Sequence, residues 1–397
     1  MRDLLFLCHR LPYPPDKGEK IRAWHMFAHL AKTYRMHLGC LIDTAEDWGH
    51  VPAVQAMCAD MHAAPFDGRW QRVRALASLR PGRALTPGYF SNPGLQAWVN
   101  AKCRTGVIDR VFVFSSGMAG YVMGKRGYPD RTLDMVDVDS AKWAAYAQDS
   151  RFPARLVWAR EARLLLAFER RVATEFDRTL LVSAAECAHF AALAPEAAGR
   201  VFDVENGVDL ARFSPALAFP PAFTTPGPHL VFTGTMDYRP NIDAVTWFVA
   251  EMLPALRRAR PELVFHIVGA NPAPQVLALA GPAVRVTGRV ADVRPYVAQA
   301  DVVVVPLRIA RGIQNKLLEA MAMGRPVVAS LQAFEGVRAV AGQDLLVADG
   351  PAATVAAVLA VLDGAHPGLG AAGRRAMEQG YDWAGRLARL DTVMGSV

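Results

Sequence analysis

A cluster of cations beside a glycine is the feature of this sequence best suited to chemistry. Arg308, Arg311 and Lys316 surround Gly312, where an apolar stretch gives way to a run of helix-forming residues. The free N–H groups and positive dipole end of a helix start attract anions, and three cations strengthen that attraction. Glu319 lies one turn further along, where a carboxylate could accept hydrogen bonds from two vicinal hydroxyls. A phosphate beside such hydroxyls is the pattern of a nucleotide diphosphate.

The surrounding residues predict the elements that position this cluster. Four consecutive valines, Val302–Val305, suit a strand that is covered on both faces of a parallel sheet. Strong helix formers then predict a helix over Lys316–Met323, which Gly324 would end. Pro326–Ala329 predicts a second strand. The alternative interpretation is a strand–helix unit whose charges simply face water.

This order of features resembles a known family. A strand, the PLR loop and G-x-x-x-K-x-x-E-A-M-A-x-G-x-P-V-V resemble the donor-site motif of glycosyltransferase family 4, the retaining enzymes of the GT-B fold. With the N-terminal PYPPDKGEKIR, the chain resembles over nearly its whole length the sugar transferases associated with PEP-CTERM/exosortase exopolysaccharide systems. The resemblance implies transfer of a sugar from a nucleotide-diphosphate sugar, expected to be a UDP-sugar, to a glycan or lipid-linked acceptor. No cofactor is expected.

Length and element order predict an α/β protein with the GT-B fold, in which two Rossmann-like domains with parallel sheets face each other across a cleft. A chain of 397 residues is too long for one ordinary core. We predict an N-terminal acceptor domain (1–206), a proline-rich hinge (207–228) and a C-terminal donor domain (229–369). By the resemblance, terminal helices (370–397) cross back to the first domain.

The resemblance also implies which residues clamp the donor pyrophosphate. Family members pair an Arg directly after a glycine with a Lys a few residues on. Here Thr235 follows Gly234, and Arg239 takes the second place. Arg239 and Lys316 are therefore the expected clamp, and Arg239 also lies just before a predicted helix start.

The family's E-x7-E motif is only half present. Glu319 matches its second Glu and is expected to hold ribose, whereas Arg311 stands eight residues earlier. Bonding of the sugar hydroxyls would then pass to Gln314 or to backbone groups, or else the donor specificity would differ. The full set of expected donor-binding residues is Gly18, Gly234, Arg239, Asn241, Gly288, Arg289, Arg311, Gly312, Gln314, Lys316 and Glu319.

Carboxylates at the end of a central strand are the candidates for catalysis. Thr132–Val138 reads as a strand, and open α/β sheets place ligands at the carboxyl ends of their strands. Asp137 is the first candidate for contacting the sugar or the acceptor hydroxyl, and Asp139 is the second. The resemblance places a histidine where this chain has Val136. The alternative is that Asp139 or Ser140 caps the next helix.

Several motifs of other protein classes are missing from the sequence. The five cysteines are scattered without a C-x-x-C, which predicts neither a zinc site nor disulfides and favours a reducing cytoplasm. No D-x-D pair stands with a plausible metal site, so a metal-independent reaction is expected. The missing G-x-G-x-x-G disfavours an NAD dehydrogenase. A nucleotide-sugar epimerase and a non-catalytic glycan-binding or assembly module are the alternative functions.

The excess positive charge lies in the first half of the chain. Residues 1–190 hold 26 Lys and Arg against 19 Asp and Glu, whereas residues 191–397 hold 18 of each. Arg69–Arg83 has five arginines, no acid and an apolar stripe. It predicts a basic amphipathic helix that docks on an anionic membrane, or else a helix packed on its own domain. No nucleic-acid module is recognisable. The expected location is cytoplasmic, with peripheral attachment at the inner face of the plasma membrane.

Overall fold

The computed structural model describes residues 1–16, 18–68, 82–124, 130–310 and 312–395. By its internal contacts the chain forms two compact units, Met1–Glu205 together with Leu387–Val397, and Asn206–Arg386. The predicted division ended the first domain at residue 206 and assigned 370–397 to the returning helices. Of that last segment, only Leu387–Val397 groups with the first unit.

The first unit is built on a seven-stranded sheet. Its strands are β1 (Arg2–Cys8), β2 (Tyr34–Ile42), β3 (Asp60–Pro65), β4 (Arg110–Phe114), β5 (Arg131–Val136), β6 (Arg178–Leu181) and β7 (Val201–Asp203). They lie in the order β3-β2-β1-β4-β5-β6-β7 with parallel pairing. The central strands β1 and β4 are apolar and almost wholly buried, as expected for a sheet with both faces covered.

Helices cover this sheet. They are α1 (Gly18–Leu30), α2 (Ala45–Trp48), α3 (Val51–Gln55), α4 (Leu85–Tyr89), α5 (Pro93–Arg104), α6 (Asp139–Asp149), α7 (Ala154–Glu175) and α8 (Ala184–Leu193), with 3₁₀ turns at Ser116–Tyr121 and Pro195–Arg200. A buried ion pair fixes α1 on the sheet, because Arg22 donates two hydrogen bonds to Asp134 of β5 (2.8 and 3.0 Å) and one to the Val204 carbonyl (2.7 Å). This network anchors α1 to β5 and to the segment that follows β7.

The second unit has a six-stranded parallel sheet. Its strands are β8 (His229–Thr233), β9 (Val264–Val268), β10 (Val284–Gly288), β11 (Val302–Val305), β12 (Val327–Ala329) and β13 (Leu346–Val347). Their order is β10-β9-β8-β11-β12-β13. The strand predicted from the four valines is confirmed as β11, and all four residues are buried. The fold is therefore α/β with two Rossmann-like units, as predicted.

The helices of the second unit follow its strands in alternation. They are α9 (Arg239–Glu251), α10 (Leu253–Ala259), α11 (Pro274–Leu277), α12 (Arg294–Gln299), α13 (Asn315–Ala322), α14 (Leu331–Phe334), α15 (Gly350–Leu362), α16 (Leu369–Gly380) and α17 (Trp383–Met394), which ends among residues grouped with the first unit. The helix predicted over Lys316–Met323 is α13, one residue earlier. Among the described residues, no helix is long and apolar enough to cross a membrane.

Candidate active site

Two glycines bring the carboxyl ends of β8 and β9 into close approach. Gly234 and Gly269 follow these strands with φ angles of 156° and 154°. A Cβ atom on Gly269 would lie 1.7 Å from the Gly234 carbonyl oxygen, and the Gly234 N–H donates to the Val268 carbonyl (3.0 Å). Since a side chain would strain this backbone, glycine is required where the chain leaves the sheet for α9.

Asn241 connects this loop to the next strand–helix unit. The residue is buried in the first turn of α9, and its Nδ2 donates to the Thr235 carbonyl (2.8 Å). Its Oδ1 accepts a hydrogen bond from Lys316 Nζ (2.6 Å). A Cβ atom on Gly234 would lie 2.6 Å from Asn241 Nδ2 and 3.2 Å from Lys316 Nζ. Three of the predicted donor-binding residues, Gly234, Asn241 and Lys316, therefore meet at one place.

Lys316 combines a positive charge with an apolar setting. Its ammonium lies 4.6 Å from the centroid of the Phe232 ring, in addition to its bond to Asn241. Burial lowers the pKa of Lys316 to about 7, although the charge of Glu319 acts in the opposite direction. A phosphate beside Nζ would supply the negative charge that favours the protonated amine.

The start of α13 coincides with this lysine. Gln314 precedes the helix, and its side chain donates to the Gly312 carbonyl (3.1 Å) instead of capping the helix. Gly312 has a φ of 64°, which glycine adopts readily. The first N–H groups of α13, the dipole and the Lys316 ammonium thus share one region, which suits an anion. Arg311, predicted to belong to this region, lies outside the described residues.

Glu319 lies one turn after Lys316 on α13. Burial raises the pKa of its carboxyl group to about 7, and the charges of Arg212 and then Lys316 oppose that rise. Sequence reasoning missed Arg212, which lies three residues after the sequence Asn206-Gly207-Val208-Asp209. Its Nε is buried and has no hydrogen-bond partner in the described part of the chain. A lone arginine in the predicted hinge is the sequence signal, and it does not indicate an interaction with Glu319.

The other arginines of the second unit have different environments. Arg239 is the first residue of α9, two residues before Asn241, and it is exposed. Arg308, which the sequence placed in the cation cluster, forms an ion pair with Asp243 of α9. Its guanidinium also lies 5.0 Å from the centroid of the Trp247 ring. A carboxylate therefore already balances the charge of Arg308.

The remaining predicted donor residues are more dispersed. Gly288 ends β10 with a φ of 68°, and the exposed Arg289 follows it. Gly18 opens α1 in the first unit and is exposed. Nearly all of Arg69–Arg83, namely residues 69–81, lies outside the described residues.

Unpaired polar atoms follow three neighbouring strands at the carboxyl edge of the first sheet. His9 Nδ1, Ser116 Oγ and Asp137 Oδ1 are buried and lack hydrogen-bond partners among the residues that the structure describes. They follow β1, β4 and β5, which are neighbours in the sheet. A buried polar group without a partner costs about 1–3 kcal/mol. Three such groups at the edge where α/β sheets bind ligands indicate a polar site.

The backbone is strained at the same edge. Val136 ends β5 with a φ of 69°, and Ser115 follows β4 with a φ of 76°. Left-handed backbone is unusual for a β-branched residue and costs on the order of 1–3 kcal/mol. Val136 occupies the position that the resemblance assigns to a histidine. Its conformation directs the chain so that Asp137 follows at the sheet edge.

Asp137 carries the electrostatic signature of a buried acid. Burial raises the pKa of Asp137 to about 6, with further increases from Asp139 and Glu186, while Lys142 acts in the opposite direction. His9 is also buried, which lowers the pKa of its imidazole, and its ring stacks on Phe114. A carboxylate and a neutral imidazole at one edge are suited to accepting a proton or a hydroxyl hydrogen bond.

Asp139 has a more structural environment. It begins α6 and accepts a hydrogen bond from Lys142 Nζ (3.3 Å). The capping alternative is not observed, because Val138 precedes the helix and no side chain caps it. The Ser140 hydroxyl instead donates to Glu169. Within the described ranges, no three His, Cys, Asp or Glu side chains are grouped to hold a metal ion.

Comparison with known proteins bears on the second unit most directly. Residues 227–364 match the family model described as "Glycosyl transferases group 1", and this range contains Gly234, Asn241, Lys316 and Glu319. No curated protein matches the chain by sequence. The family match thus covers the part of the chain in which the predicted donor residues meet.

Solved structures share the fold over the full length of the chain. Sucrose-phosphate synthase from Thermosynechococcus elongatus is similar with a TM-score of 0.70 and 15% identity, over 99% of this chain and 98% of that one. HepE from Anabaena, solved with UDP and glucose, has a TM-score of 0.67 and 14% identity over the whole of both chains. WaaG, a glycosyltransferase involved in lipopolysaccharide biosynthesis, has a TM-score of 0.66 and 16% identity over 99% of this chain and 100% of that one. The chain therefore has the GT-B fold, and residues 227–364 carry the match that supports a glycosyltransferase.

Proposed function

We propose that this chain is a retaining glycosyltransferase of family 4 that moves a sugar from a UDP-sugar to a glycan or lipid-linked acceptor in exopolysaccharide biosynthesis. The contact of Lys316 with Asn241 carries the proposal, because it joins the starts of α9 and α13 at one cationic point. The family match over residues 227–364 supports the activity. The UDP bound in the solved HepE structure favours uracil as the base. The resemblance to PEP-CTERM-associated transferases is the basis for the exopolysaccharide role.

Fixed cations would stabilise the leaving diphosphate in this proposal. Lys316 would donate to a phosphate oxygen, Arg239 would approach from the start of α9, and the N–H groups of α13 would complete the anion site. Preorganised donors of this kind stabilise developing charge without further reorganisation, so we propose a metal-independent reaction. Glu319 would accept hydrogen bonds from the ribose hydroxyls, and Arg212 would favour its ionised form.

The polar edge of the first sheet would receive the acceptor or the sugar. Asp137 would orient a hydroxyl through its unpaired Oδ1, with His9 and Ser116 as additional partners. Asp139, engaged with Lys142, would contribute mainly through its charge. The proposal that Arg69–Arg83 contacts an anionic membrane surface, giving a peripheral location at the cytoplasmic face, rests on sequence alone.

Nucleotide binding tests the proposal directly. We expect UDP to raise the melting temperature of the protein more than GDP or ADP does, and we expect transfer to release UDP together with a glycosylated acceptor. Lys316→Ala should weaken UDP binding about 10- to 100-fold, since hydrogen bonds to charged groups contribute about 1.5–3 kcal/mol. Isothermal titration calorimetry measures the change in Kd.

Arg308→Ala provides the matched control for that experiment. It removes a neighbouring cation of the same unit that is already paired with Asp243, so UDP should bind within about twofold of the unchanged protein. Equal weakening by both substitutions would show only a general charge effect. A failure of every nucleotide to bind would reject the proposed function.

A further inference from the structure

The beginning of α7 exposes a group of large apolar side chains. Phe152, Leu156 and Val157 are 80%, 62% and 46% exposed. Phe152 lies two residues before the helix, and the other two lie in its first turn. Single exposed apolar residues are common, but three within six positions form a patch that water disfavours. The patch spans the loop between α6 and α7 and the first turn of α7.

Helix lengths place this patch beyond the carboxyl edge of the first sheet. The helix α6 begins just after β5, and α7 ends at Glu175, shortly before β6 begins at the opposite edge. With 22 residues, α7 is about 33 Å long, whereas the six residues of β5 span only about 20 Å. For a helix aligned with β5, the start of α7 extends roughly 13 Å past the edge that carries Asp137.

The projecting part is a packed helical hairpin. The Trp143 ring of α6 stacks on the Trp158 ring of α7, with centroids 4.9 Å apart. Further along α7, the buried Glu161 accepts hydrogen bonds from the Leu85 and Thr86 N–H groups at the start of α4. These contacts hold the hairpin, so its tip presents the apolar patch on a fixed support.

Positive charge surrounds the apolar patch. Arg151 and Arg155 alternate with Phe152 and Leu156, and both arginines are exposed. No Asp or Glu occurs from residue 150 to residue 160. Exposed apolar side chains beside arginines match the boundary between acyl chains and anionic headgroups of a bilayer. The nearby tryptophan pair fits the same boundary.

We propose that the α6–α7 tip, defined by residues 151–157, docks the protein on an anionic lipid bilayer. Phe152, Leu156 and Val157 enter the headgroup region, while Arg151 and Arg155 contact phosphates. A second copy of the chain fits less well, because a two-fold contact through this tip would bring the arginines of both copies together. Docking here turns the acceptor edge of the sheet towards lipid-linked acceptors. That consequence rests on the proposed function, whereas the docking itself does not.

Cosedimentation with vesicles tests the docking surface. The full-length protein should bind vesicles of phosphatidylcholine with phosphatidylglycerol and bind phosphatidylcholine alone more weakly. Arg151→Glu with Arg155→Glu should reduce binding to the anionic vesicles more than about tenfold, because each arginine near the surface contributes about fivefold to partitioning. Phe152→Ser with Leu156→Ser should reduce binding by at least a similar factor, since both side chains lose their apolar contact.

Matched controls use the second unit. Arg258→Glu with Arg375→Glu changes the net charge equally at exposed positions, and Leu277→Ser removes an apolar side chain that is 52% exposed. Both controls should bind vesicles within about twofold of the unchanged protein. The proposal would be overturned if the control variants lost as much vesicle binding as the tip variants. It would also be overturned if both pairs of tip substitutions left vesicle binding intact.

A nucleotide readout separates this proposal from the proposed function. The tip variants should keep the melting-temperature shift with UDP, because residues 151–157 lie in the other unit from Lys316. Loss of vesicle binding with an intact UDP shift supports docking. An intact UDP shift with no vesicle binding by the unchanged protein rejects docking alone. A dimer that the tip substitutions dissociate would assign the patch to self-association and overturn the proposal.

Discussion

Lys316 is both a phosphate-binding candidate and a buried amine, so its protonation should depend on the ligand. With a pKa of about 7, much of the free protein at about pH 8 holds a neutral amine. A bound diphosphate raises that pKa, so UDP binding should take up a fraction of a proton and should weaken as the pH rises above 7. Titration calorimetry in two buffers of different ionisation enthalpy measures the uptake.

Lys316→Arg is the control for this prediction. The guanidinium stays charged throughout the range, so the proton uptake assigned to position 316 should disappear while some UDP binding remains. Glu319 should contribute the opposite pH dependence of UDP binding. Its raised pKa of about 7 leaves the carboxyl group protonated at lower pH, where it is less able to accept hydrogen bonds from hydroxyls. Uptake that persists in Lys316→Arg would place the titrating group elsewhere.

Gly234→Ala should disrupt the place where the donor residues meet. The new methyl group would lie 2.6 Å from Asn241 Nδ2 and 3.2 Å from Lys316 Nζ, in a backbone conformation with a φ of 156°. We expect a loss of about 1–3 kcal/mol in the free energy of unfolding, together with weaker UDP binding. Urea unfolding and calorimetry measure the two effects. Gly281→Ala, which meets no atom within 4 Å among the described residues, should change neither.

Individual residues show where sequence reasoning succeeded and where it stopped. The sequence selected Lys316 and Asn241 as donor-binding residues, and the structure joins them by one hydrogen bond, while their binding role stays a prediction. It could not pair Arg308 with Asp243 or predict that the charge of Arg212 acts on Glu319, because both interactions depend on tertiary packing. Local pattern identifies helix ends well, but it does not identify the partners of long charged side chains.

At the scale of elements, a histidine pair links two strands of the second unit and should make it sensitive to acid. His229 of β8 and His266 of β9 share a hydrogen bond between Nδ1 and Nε2 (3.0 Å), and Phe223 stacks on both rings. Burial, reinforced by the neighbouring histidine and Arg285, lowers the pKa of His266 to about 4. His266 is thus a neutral imidazole at neutral pH.

The sign of the pH dependence follows from that depressed pKa. The folded state favours the neutral form of His266. The contribution of this residue to the free energy of unfolding is therefore complete above the unfolded pKa of about 6.5, and it is lost as the pH falls from there towards 4. We expect the second unit to lose on the order of 2 kcal/mol of stability over this range. Urea unfolding at several pH values measures it. His266→Phe should flatten the dependence, whereas the exposed His189→Gln should leave it unchanged.

Element boundaries were predictable where composition was decisive. Four valines identified β11 because a continuous apolar run suits a buried parallel strand, and the helix formers after it identified α13 to within one residue. The strand β13 has only two residues, and no periodic pattern can arise over that length. The capping interpretation failed because Val138 takes the position before α6, Asp139 accepts a hydrogen bond from Lys142, and Ser140 donates to the distant Glu169.

At the scale of the whole molecule, the polar edge of the first unit depends on strand order. His9, Ser116 and Asp137 share one edge of the sheet because β1, β4 and β5 lie side by side in it, although the chain reaches β4 only after β2 and β3. Sequence reasoning found Asp137 by its position after a strand but had no order from which to join it to His9. The alternation of strands and helices was enough to predict the fold class. The placement of these three residues at one edge depends on the order of strands in the sheet, which the sequence pattern does not give.

The two units have separate cores, so a ligand held by one should stabilise that one. The β8, β9 and β11 strands belong to the core of the second unit, and Lys316, Asn241 and Glu319 all lie in that unit. UDP at 100 times its Kd adds about 2.7 kcal/mol to the folded state that binds it. Hydrogen exchange should therefore slow by about 100-fold for core amides of β8, β9 and β11 that exchange through unfolding of the second unit.

The core amides of β1 and β4 should change little, and Lys316→Ala should abolish the difference. Equal slowing in both cores would mean either that the units unfold as one or that the donor is held by both.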